Sequence, residues 1–392
     1  MRRVLLFRSE LLPVSETFIV AQAAALRRYE PWFAGLKRVS GGLPLDDARV
    51  IAAASNNSIG ERAARRVYLR MGFAPGFLRR LGAVGAELIH AHFATDACAA
   101  LAIQRRLRVP MFVTLHGYDV TSEDAALRET NTGRIYLRNR RALWERASVF
   151  VCVSEWIRQK ALERGFPEQN LWVHPIGIDV EAFRAPESKA KEPLVLFVGR
   201  LVEKKGCAHL LRAMRMVEAQ MPEARLVVLG DGPLRGALGA EARGSLLRCE
   251  FFGAASAAVV REWMRRAAVV AVPSVVAANG DAEGLCLVVL EAQAMGLPVA
   301  GFRGPGIEVV DGETGLLVPE RDAGALAEAL VSLLRFESVA ARMGEAGRTR
   351  VERLFNLRRQ TAWLEEKYDE VLGHSLSHIS KSRCGAPAKA LA

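Results

Sequence analysis

The segment LFVGRLVEKKG, residues 196–206, is the most informative stretch of the chain. It predicts a buried strand that ends at Gly199, then a short turn with Arg200 and Lys205, and then the start of a helix. Backbone N–H groups at a helix start and two nearby cations suit a bound diphosphate. A solvated basic turn would give the same pattern, so the segment needs support from the rest of the sequence.

Short apolar runs alternate with helical patterns along the chain, which predicts parallel sheets flanked by helices. The strand candidates of the first half are Val4–Phe7, Leu88–His92, Met111–Leu115 and Val149–Val153. Those of the second half are Leu194–Val198, Arg225–Leu229, Glu250–Phe252, Val269–Val272 and Pro298–Gly301. Residues 207–219 show one apolar face at helical spacing. The predicted fold class is therefore α/β, with two doubly wound, Rossmann-like domains facing across a cleft that binds the ligand.

The domain boundary is predicted at a polar, proline-bounded stretch between Val180 and Pro193. It separates a first domain, residues 1–180, from a second domain, residues 181–355. A helical pattern over 356–372 predicts a helix that crosses back to the first domain. The Ser-, Lys- and Ala-rich tail, 373–392, is expected to be disordered.

Composition excludes several protein classes. Hydrophobic residues make up 51% and charged residues 25%, as in ordinary globular proteins. The longest apolar stretch, Ala267–Ala278, is shorter than the roughly 20 residues of a membrane span. The start, Met1–Phe7, fits a first strand better than a signal peptide. Six scattered cysteines without a C-x-x-C pair indicate reduced thiols and a cytoplasmic location.

The second informative segment is GDAEGLCLVVLEAQAMGLPV, residues 280–299. Glycines punctuate a loop, a helix follows, and Gly296 with Pro298 ends it. Glu283 and Glu291 lie eight residues apart, which along a helix axis is about 12 Å. That distance suits the two ends of a nucleotide-sugar, from the sugar to the ribose. Two surface glutamates would be the simpler interpretation.

Further motifs fit the same site. The GDGP loop, 230–233, follows a strand, and Gly230 would let the backbone approach a ligand closely. His116 stands at the end of a first-domain strand, where a lone histidine is more often structural. No G-x-G-x-x-G follows the first strand, which disfavours a nicotinamide enzyme. His90 and His92 share one side of a strand without an evident third ligand, so no metal site is predicted.

Eight motifs occur in an order and spacing that resemble one family. They are SETFI (15–19), HAHF (90–93), HGYD (116–119), PIGID (175–179), VGRLVEKKG (198–206), GDGPL (230–234), E-x7-E (283–291) and DGETGLLV (311–318). From Val4 to about Leu372 the chain resembles a family-4 retaining glycosyltransferase of the GT-B fold. The branch it resembles builds bacterial exopolysaccharide and colanic-acid-type polymers.

The resemblance implies transfer of a sugar, with retention, from a nucleotide-diphosphate donor to a saccharide acceptor that is often lipid-linked. It implies catalytic roles for His116, Arg200, Lys205 and Glu283, with Glu283 holding the transferring sugar. It implies donor contacts from Gly199, Arg200, Lys205, Gly230, Gly284, Leu285 and Glu291, the last at the ribose. It implies no metal and no other cofactor. We expect both cations to lie in an exposed turn, so that replacing them changes stability little.

Two departures from the family pattern stand out. Cys286 occupies a position that is usually proline, and the loop GIEVV, 306–310, is one residue shorter than usual. Neither removes a residue expected to contact the diphosphate. We therefore expect them to affect donor choice more than activity.

Two other functions are weighed against this one. A catalytically idle binding protein of the same fold would usually have lost some motif residues, whereas Arg200, Lys205, Glu283 and Glu291 are all present. A nucleic-acid-binding protein would account for the net charge of +11, but only 7% of residues are aromatic and no RNA-binding motif appears. Nucleic acid is therefore not a predicted partner.

The basic residues are concentrated in one region. Eleven basic and four acidic residues lie between Arg27 and Arg80, and residues 62–80 contain six arginines and no acid. Apolar side chains are interleaved with these arginines, which predicts a helix at the surface of an anionic leaflet on the inner face of the plasma membrane. A solvated helix that packs on its own domain is the alternative interpretation.

Overall fold

A computed structural model describes residues 1–54, 58–184, 192–246 and 248–383. These residues form two parallel β-sheets, each flanked by helices, and the predicted fold class is confirmed. Residues 185–191, which make up much of the predicted interdomain break, lie outside the described residues. The five described cysteines are free thiols.

The described residues of the first domain form eight strands and eight α-helices. Its strands are β1 Arg2–Phe7, β2 Glu10–Leu11, β3 Tyr29–Arg38, β4 Val50–Ala54, β5 Leu88–His92, β6 Met111–Leu115, β7 Val149–Cys152 and β8 Leu171–Val173. Its helices are α1 Thr17–Ala25, α2 Ile59–Met71, α3 Pro75–Val84, α4 Ala94–Leu107, α5 Tyr118–Thr121, α6 Asp124–Glu129, α7 Asn131–Arg146 and α8 Glu155–Glu163.

The second domain follows the same plan. Its strands are β9 Leu194–Val198, β10 Arg225–Leu229, β11 Cys249–Gly253, β12 Val269–Val272, β13 Val299–Phe302 and β14 Gly315–Val318. Its helices are α9 Cys207–Gln220, α10 Arg235–Ser245, α11 Ala257–Arg266, α12 Leu287–Ala294, α13 Ala323–Arg335 and α14 Glu337–Leu354, and the chain continues into α15, Leu357–Arg383.

Strand order explains where a ligand site can form. The second sheet has the order β11-β10-β9-β12-β13-β14, which is the Rossmann order 3-2-1-4-5-6. The order reverses between β9 and β12, so the loops that leave these strands diverge and open a crevice. The first sheet, β2-β3-β1-β5-β6-β7-β8 with β4 beside β3, reverses in the same way between β1 and β5.

All nine strands predicted from the sequence are present, within one or two residues of their expected ends. Five of the described strands were not predicted, namely β2, β3, β4, β8 and β14. Of these, β3 lies inside the first sheet, between β1 and β2. It contains Pro31, a residue that is rare in interior strands, and only Phe33–Leu36 form a continuous buried run. Because of the proline and the flanking charges, this strand lacks the apolar run from which the other strands were predicted.

Helix α15 returns to the first domain and packs there. The carboxylate of Glu365 accepts hydrogen bonds from the backbone N–H groups of Arg27, Arg28 and Tyr29, at 2.8, 2.7 and 3.2 Å. Tyr368 is buried among aromatic side chains of the first sheet. The helix extends to Arg383, so its last residues form the first part of the tail, 373–392, that we expected to be disordered. Residues 384–392 lie outside the described residues.

The basic segment 62–80 is not one helix. It forms α2 and α3, because Gly72 ends α2 in the left-handed conformation, with φ of 67°, and Pro75 starts α3. Tyr68 and Phe77 are buried against the domain, whereas Met71 and Phe73 are 70% and 63% exposed. The apolar side chains of this segment are therefore divided between the core and the surface.

We predict that Glu365→Ala lowers the free energy of unfolding by about 2 kcal/mol, because it leaves partly buried backbone N–H groups without an acceptor. For a domain of this size the melting temperature should fall by roughly 4–8 °C, measured by scanning calorimetry. Glu365→Gln keeps an acceptor oxygen and should lose less. The neighbouring exposed Glu366 is the matched control, and a Glu366→Ala variant that melts equally early would contradict the interpretation.

Candidate active site

The two sheets direct the carboxyl ends of their strands into one interdomain cleft of about 630 Å³. Seven of the predicted site residues line it, and they come from both domains. They are His116 after β6, Gly199 and Arg200 after β9, Lys205 in the following turn, and Glu283, Leu285 and Glu291 near α12. Residues far apart in the sequence are thus brought to one surface.

A buried ion pair lies at the centre of the second-domain wall. The Nζ of Lys205 lies 2.8 Å from Oε1 of Glu283, and the two side chains are only 17% and 9% exposed. Burial by itself would raise the pKa of Glu283, but the Lys205 and Lys204 ammonium groups lower it below its ordinary value. Burial likewise disfavours the Lys205 cation, yet Glu283 raises its pKa above the ordinary value. Both groups are therefore charged at neutral pH.

This pair corrects one expectation. Arg200 is exposed, as predicted, but Lys205 is not, because its side chain lies beneath the turn against Glu283. Removing Lys205 would leave a buried carboxylate without its cation, which costs stability as well as any catalytic role.

Lys204 forms a second pair that the sequence did not indicate. Its Nζ lies 2.9 Å from Oδ1 of Asp281, and its side chain is 10% exposed. The two adjacent lysines thus fasten one loop, through Asp281 and Glu283, to the turn after β9. A run of two lysines gives no sign in the sequence that both are paired, because the partners are distant in the chain.

Two glycines allow the close backbone contacts on which these lysine–carboxylate pairs depend. Gly206 has a φ of 64°, and a Cβ atom there would lie 1.7 Å from the carbonyl oxygen of Pro273. A Cβ atom at Gly284 would lie 2.1 Å from the carbonyl oxygen of His116. Gly284 therefore lets the Glu283 loop pack directly on the first domain. There, the Ser154 hydroxyl donates a hydrogen bond of 2.7 Å to the carbonyl oxygen of Gly284.

Two of the residues predicted to contact the sugar donor, Gly230 and Gly284, pack beneath the residues that line the cavity. Gly284 makes the contact just described, and Gly230 packs against the strand end after β9. A Cβ atom at Gly230 would lie 1.9 Å from the carbonyl oxygen of Gly199. Both glycines are required for close packing, and the structure places neither of them directly on the cavity lining that it describes.

His116 forms part of the opposite wall. Its ring lies between Phe18 and Phe93, with centroid distances of 4.9 and 4.4 Å, and its Nε2 is 3.1 Å from Nδ1 of His92. Burial lowers the pKa of His116 well below its ordinary value, and the nearby Arg8 cation adds to the effect. The imidazole is therefore neutral at physiological pH and available for hydrogen bonding.

Asp119 shapes the turn that carries His116, a role the sequence did not suggest. Its buried carboxylate accepts hydrogen bonds from the N–H groups of His116, Gly117 and Ala94, at 3.2, 3.0 and 2.9 Å. Three donors on one side chain fix the backbone at the end of β6. The position of His116 in the cleft thus depends on Asp119.

Glu291 lies in the middle of α12, whereas Glu283 precedes that helix. The helix begins at Leu287, so the expected 12 Å spacing along one helix axis does not apply. Burial raises the pKa of Glu291 to about 7, although the Lys205 and Arg261 cations oppose the effect. This carboxylate faces the cavity at a depth where water solvates it poorly.

The first-domain wall also contains a cation that the sequence did not point to. Arg8, at the carboxyl end of β1, pairs with Glu16 at 2.6 Å and with Asp96, and its guanidinium lies 4.3 Å from the centroid of the Phe93 ring. Burial raises the pKa of Glu16, while Arg8 lowers it. Glu16 of the SETFI motif is therefore not an isolated charge but part of an ion-pair cluster with Arg8 and Asp96.

Within the described residues, no group of three or more His, Cys, Asp or Glu side chains is arranged to hold a metal ion. Across the same part of the chain, none of the helices combines the length and apolar character that a membrane span needs.

Comparison with known proteins agrees with the fold and the motifs. Residues 23–182 match the sequence profile of "Glycosyltransferase Family 4", and residues 192–335 match that of "Glycosyl transferases group 1". The two matches are adjacent along the chain and correspond to the two domains of the structure. The recognised motifs are distributed over both.

Several curated relatives are bacterial glycosyltransferases. The chain is 33% identical over 250 residues to a Corynebacterium glutamicum protein described as a GDP-mannose-dependent monoacylated alpha-(1-6)-phosphatidylinositol monomannoside mannosyltransferase, covering 59% of the chain and 62% of that protein. It is 29% identical to the putative colanic acid biosynthesis glycosyltransferase WcaL of Escherichia coli, covering 69% of the chain and 67% of the relative. The chain thus spans between three fifths and two thirds of the length of these relatives.

Solved structures share the fold at low identity. HepE of Anabaena, in complex with UDP and glucose, has a TM-score of 0.74 at 17% identity, covering 94% of the chain and 100% of HepE. Sucrose-phosphate synthase of Thermosynechococcus elongatus has a TM-score of 0.74 at 22% identity, covering 95% of the chain and 100% of that protein. At these identities the likeness establishes the GT-B fold.

We predict that Glu291→Gln makes the protein more stable in alkaline solution. The folded-state pKa of about 7 lies above the ordinary value of 4.5, so between these values unfolding releases a proton and stability falls as pH rises. The neutral amide avoids that loss. The gain should be close to zero at about pH 4.5, grow up to about pH 7, and stay near 1–3 kcal/mol above it.

The measurement is the unfolding free energy of wild type and variant at several pH values. The matched control is Glu328→Gln, on the exposed side of α13, for which no pH-dependent gain is expected. A Glu291→Gln gain that does not vary with pH would show that burial is not the cause.

Proposed function

We propose that this chain, a glycosyltransferase of the family-4, GT-B type, is a retaining enzyme. It would transfer a sugar from a nucleotide-diphosphate donor to a saccharide acceptor. The observation that carries the proposal is the buried Lys205–Glu283 pair at the switch point of the second sheet, with Arg200 exposed beside it and His116 across the cleft. At this point, cations that could bind a diphosphate lie next to a carboxylate that could bind sugar hydroxyls.

The proposed chemistry rests on stabilising the leaving group. A nucleoside diphosphate is already a good leaving group, so no carboxylic acid has to protonate it, unlike in a glycosidase. Arg200 and Lys205 would neutralise the charge that develops on the departing phosphate oxygens. Lys204, which lines the same cavity, adds a third positive charge nearby. The scheme relies on these cations and uses no metal ion.

The two glutamates would hold the donor at different points. Glu283, fixed by Lys205, would accept hydrogen bonds from hydroxyls of the transferring sugar. Glu291, in the middle of α12, would accept hydrogen bonds from the ribose hydroxyls. These hydroxyls would solvate its ionised carboxylate, which is only partly exposed to water. Contacts to the ribose persist from the bound state to the transition state, so they contribute mainly to affinity.

His116 would lie near the reacting centre and the acceptor. Because its pKa is far below neutrality, it would act as a neutral hydrogen-bonding group rather than as a cationic acid. We favour a front-face displacement, in which the acceptor hydroxyl approaches from the same side as the departing diphosphate. Exclusion of water by the two domains would keep water from competing as the acceptor.

The surface glycans of bacteria are the proposed setting. Relatives named for colanic acid and amylovoran biosynthesis support an exopolysaccharide role, and one named for a phosphatidylinositol mannoside supports a lipid-linked acceptor. Both favour an enzyme on the cytoplasmic side of the plasma membrane.

We predict that Arg200→Ala lowers kcat by about 100-fold or more, since one charge-stabilising group is lost, while the melting temperature changes little because Arg200 is exposed. Lys205→Ala should lower kcat similarly and also destabilise the fold. The matched control is Arg212→Ala, on the exposed face of α9. Near-normal transfer by Arg200→Ala would remove this turn from the mechanism.

The deciding experiment screens nucleotide-sugars for thermal stabilisation and then follows transfer to a saccharide acceptor by NMR. We expect retention at the anomeric carbon and activity unchanged by a metal chelator. Inversion would overturn the proposed mechanism. Stabilisation by a donor without any turnover across acceptors would instead favour the idle binding protein.

We further propose that α2 and α3 dock on an anionic membrane. Ile59, Met71 and Phe73 are 79%, 70% and 63% exposed, and exposed arginines, such as Arg66 and Arg70, lie between them. Apolar side chains of this kind can enter the interface while the guanidinium groups bind phosphate headgroups. Each arginine near such a surface contributes about 1 kcal/mol, which salt weakens.

We predict that the protein sediments with vesicles containing phosphatidylglycerol and that binding falls between about 50 and about 500 mM salt. Replacing Arg62, Arg66 and Arg70 by glutamine should weaken binding at least about tenfold. A charge-matched control replaces Arg212, Arg335 and Arg342, which are exposed in the second domain, and should bind normally. Equal loss in both triple variants, or equal binding to neutral vesicles, would contradict docking through α2 and α3.

A further inference from the structure

A row of buried imidazoles stands behind His116 in the first domain. The His92 and His116 rings meet edge to edge, with centroids 5.3 Å apart and planes inclined by 28°, and a hydrogen bond of 3.1 Å joins His92 Nδ1 to His116 Nε2. The His90 ring stacks on the His92 ring, with centroids 4.7 Å apart and planes at 18°. Only His116 of these three lines the large cleft among the described residues.

Burial keeps these rings neutral. It lowers the pKa of His90 to about 3 and that of His174 to about 4, and it lowers those of His92 and His116 well below their ordinary value. A neutral imidazole has one N–H and one bare nitrogen. The bond between His92 and His116 therefore contains one proton, and the tautomer of one ring fixes the tautomer of the other.

His92 also lines a second, very small cavity, which His90 and His116 border as well. The Nε2 atoms of His92 and His174 are both buried and have no hydrogen-bond partner within the described part of the protein. Both histidines line a cavity of about 10 Å³, together with the polar side chains of Gln22 and Thr114. That volume holds about one water molecule, and a water there would satisfy buried nitrogens that are otherwise costly.

We propose that His92 is a positioning residue that holds His116 in one orientation and one tautomer, and that a single internal water between His92 and His174 fixes the tautomer of His92 in turn. The proposal rests on the function proposed above for His116. Asp119 already fixes the backbone of His116, so rotation about its side-chain bonds is the freedom that remains. The hydrogen bond to His92 and the packing of Phe18 and Phe93 restrict that rotation.

The first test compares His92→Leu with His92→Asn in the full chain. The asparagine amide can occupy the place of the imidazole Nδ1 and keep the bond to His116, whereas leucine cannot. We expect His92→Leu to lower kcat by about 10- to 100-fold, as misplaced reacting groups do, with less than about threefold change in the donor KM. His92→Asn should recover most of that loss. Equal kcat values for the two variants would overturn the proposal.

The second test needs no activity. Nitrogen-15 NMR of histidine-labelled protein reports the tautomer of each ring. His116 should show one tautomer in wild type and in His92→Asn, and a mixture in His92→Leu. His174→Leu, which removes the far partner of the water, should alter the His92 resonances. An unchanged His92 spectrum in that variant would refute the water bridge.

These readouts separate the two proposals. If the protein transfers no sugar, the NMR result still decides whether His92 fixes His116. If His116→Ala abolishes transfer and His92→Leu does not affect it, the positioning role fails and the function stands. If His92→Leu does not fold, the remaining variants still test the proposal. His116 must then show one tautomer in wild type and the same tautomer in His92→Asn, and His174→Leu must alter the His92 resonances.

Discussion

The buried pair of Lys205 and Glu283 is the interaction on which the second-domain wall depends. Removing two charges from water costs several kcal/mol each, and mutual attraction recovers this only with close contact. The 2.8 Å separation gives that contact, and Lys204 adds positive charge beside it. Because stability alone rarely justifies such a pair, its place at the switch point of the sheet supports a role in binding charged or hydroxylated ligands.

Close backbone contacts connect the Lys205–Glu283 pair to the first domain as well as to the second. Gly206 lets the turn approach Pro273, and Gly284 lets the Glu283 loop touch the carbonyl of His116. A Cβ atom at Gly206 or Gly284 would lie only 1.7 or 2.1 Å from a backbone carbonyl oxygen, so the loop would have to move before any side chain could fit. The second-domain wall and the first-domain wall are therefore set by the same loop, which holds Glu283 next to the backbone of His116.

The two walls differ in electrostatic character, and this difference suits a transfer reaction. The second domain presents Arg200, Lys204 and Lys205, which favour a polyanionic ligand. The first domain presents neutral imidazole and aromatic rings, and its one buried cation there, Arg8, is paired with Glu16 and Asp96 among the described residues. A diphosphate would thus bind on one side only, which leaves the other side for an uncharged saccharide.

The sequence alone determined the architecture and predicted most of the candidate site residues, which the structure places along one cleft. Strands predicted from apolar runs gave the two doubly wound domains, because parallel strands buried on both faces are uniformly apolar. The residues Arg200, Lys205, Glu283, Glu291 and His116 were found from motifs whose spacing is local. Strand β3 was missed, since Pro31 and nearby charges disguise a strand that is stabilised by its neighbours in the sheet.

Only the tertiary structure decided which charges are paired and which are buried. The sequence placed Lys205 in an exposed turn and both glutamates along one helix, whereas folding buries Lys205 against Glu283 and starts α12 after that glutamate. Lys204 gave no local signal, because its partner Asp281 lies 77 residues away. Arg8 also pairs with the distant Asp96, and Asp119 and His92 contact residues that follow neighbouring strands, so none of these contacts is visible in the local sequence. Burial and pairing are properties of contacts between distant segments, and composition and spacing do not contain them.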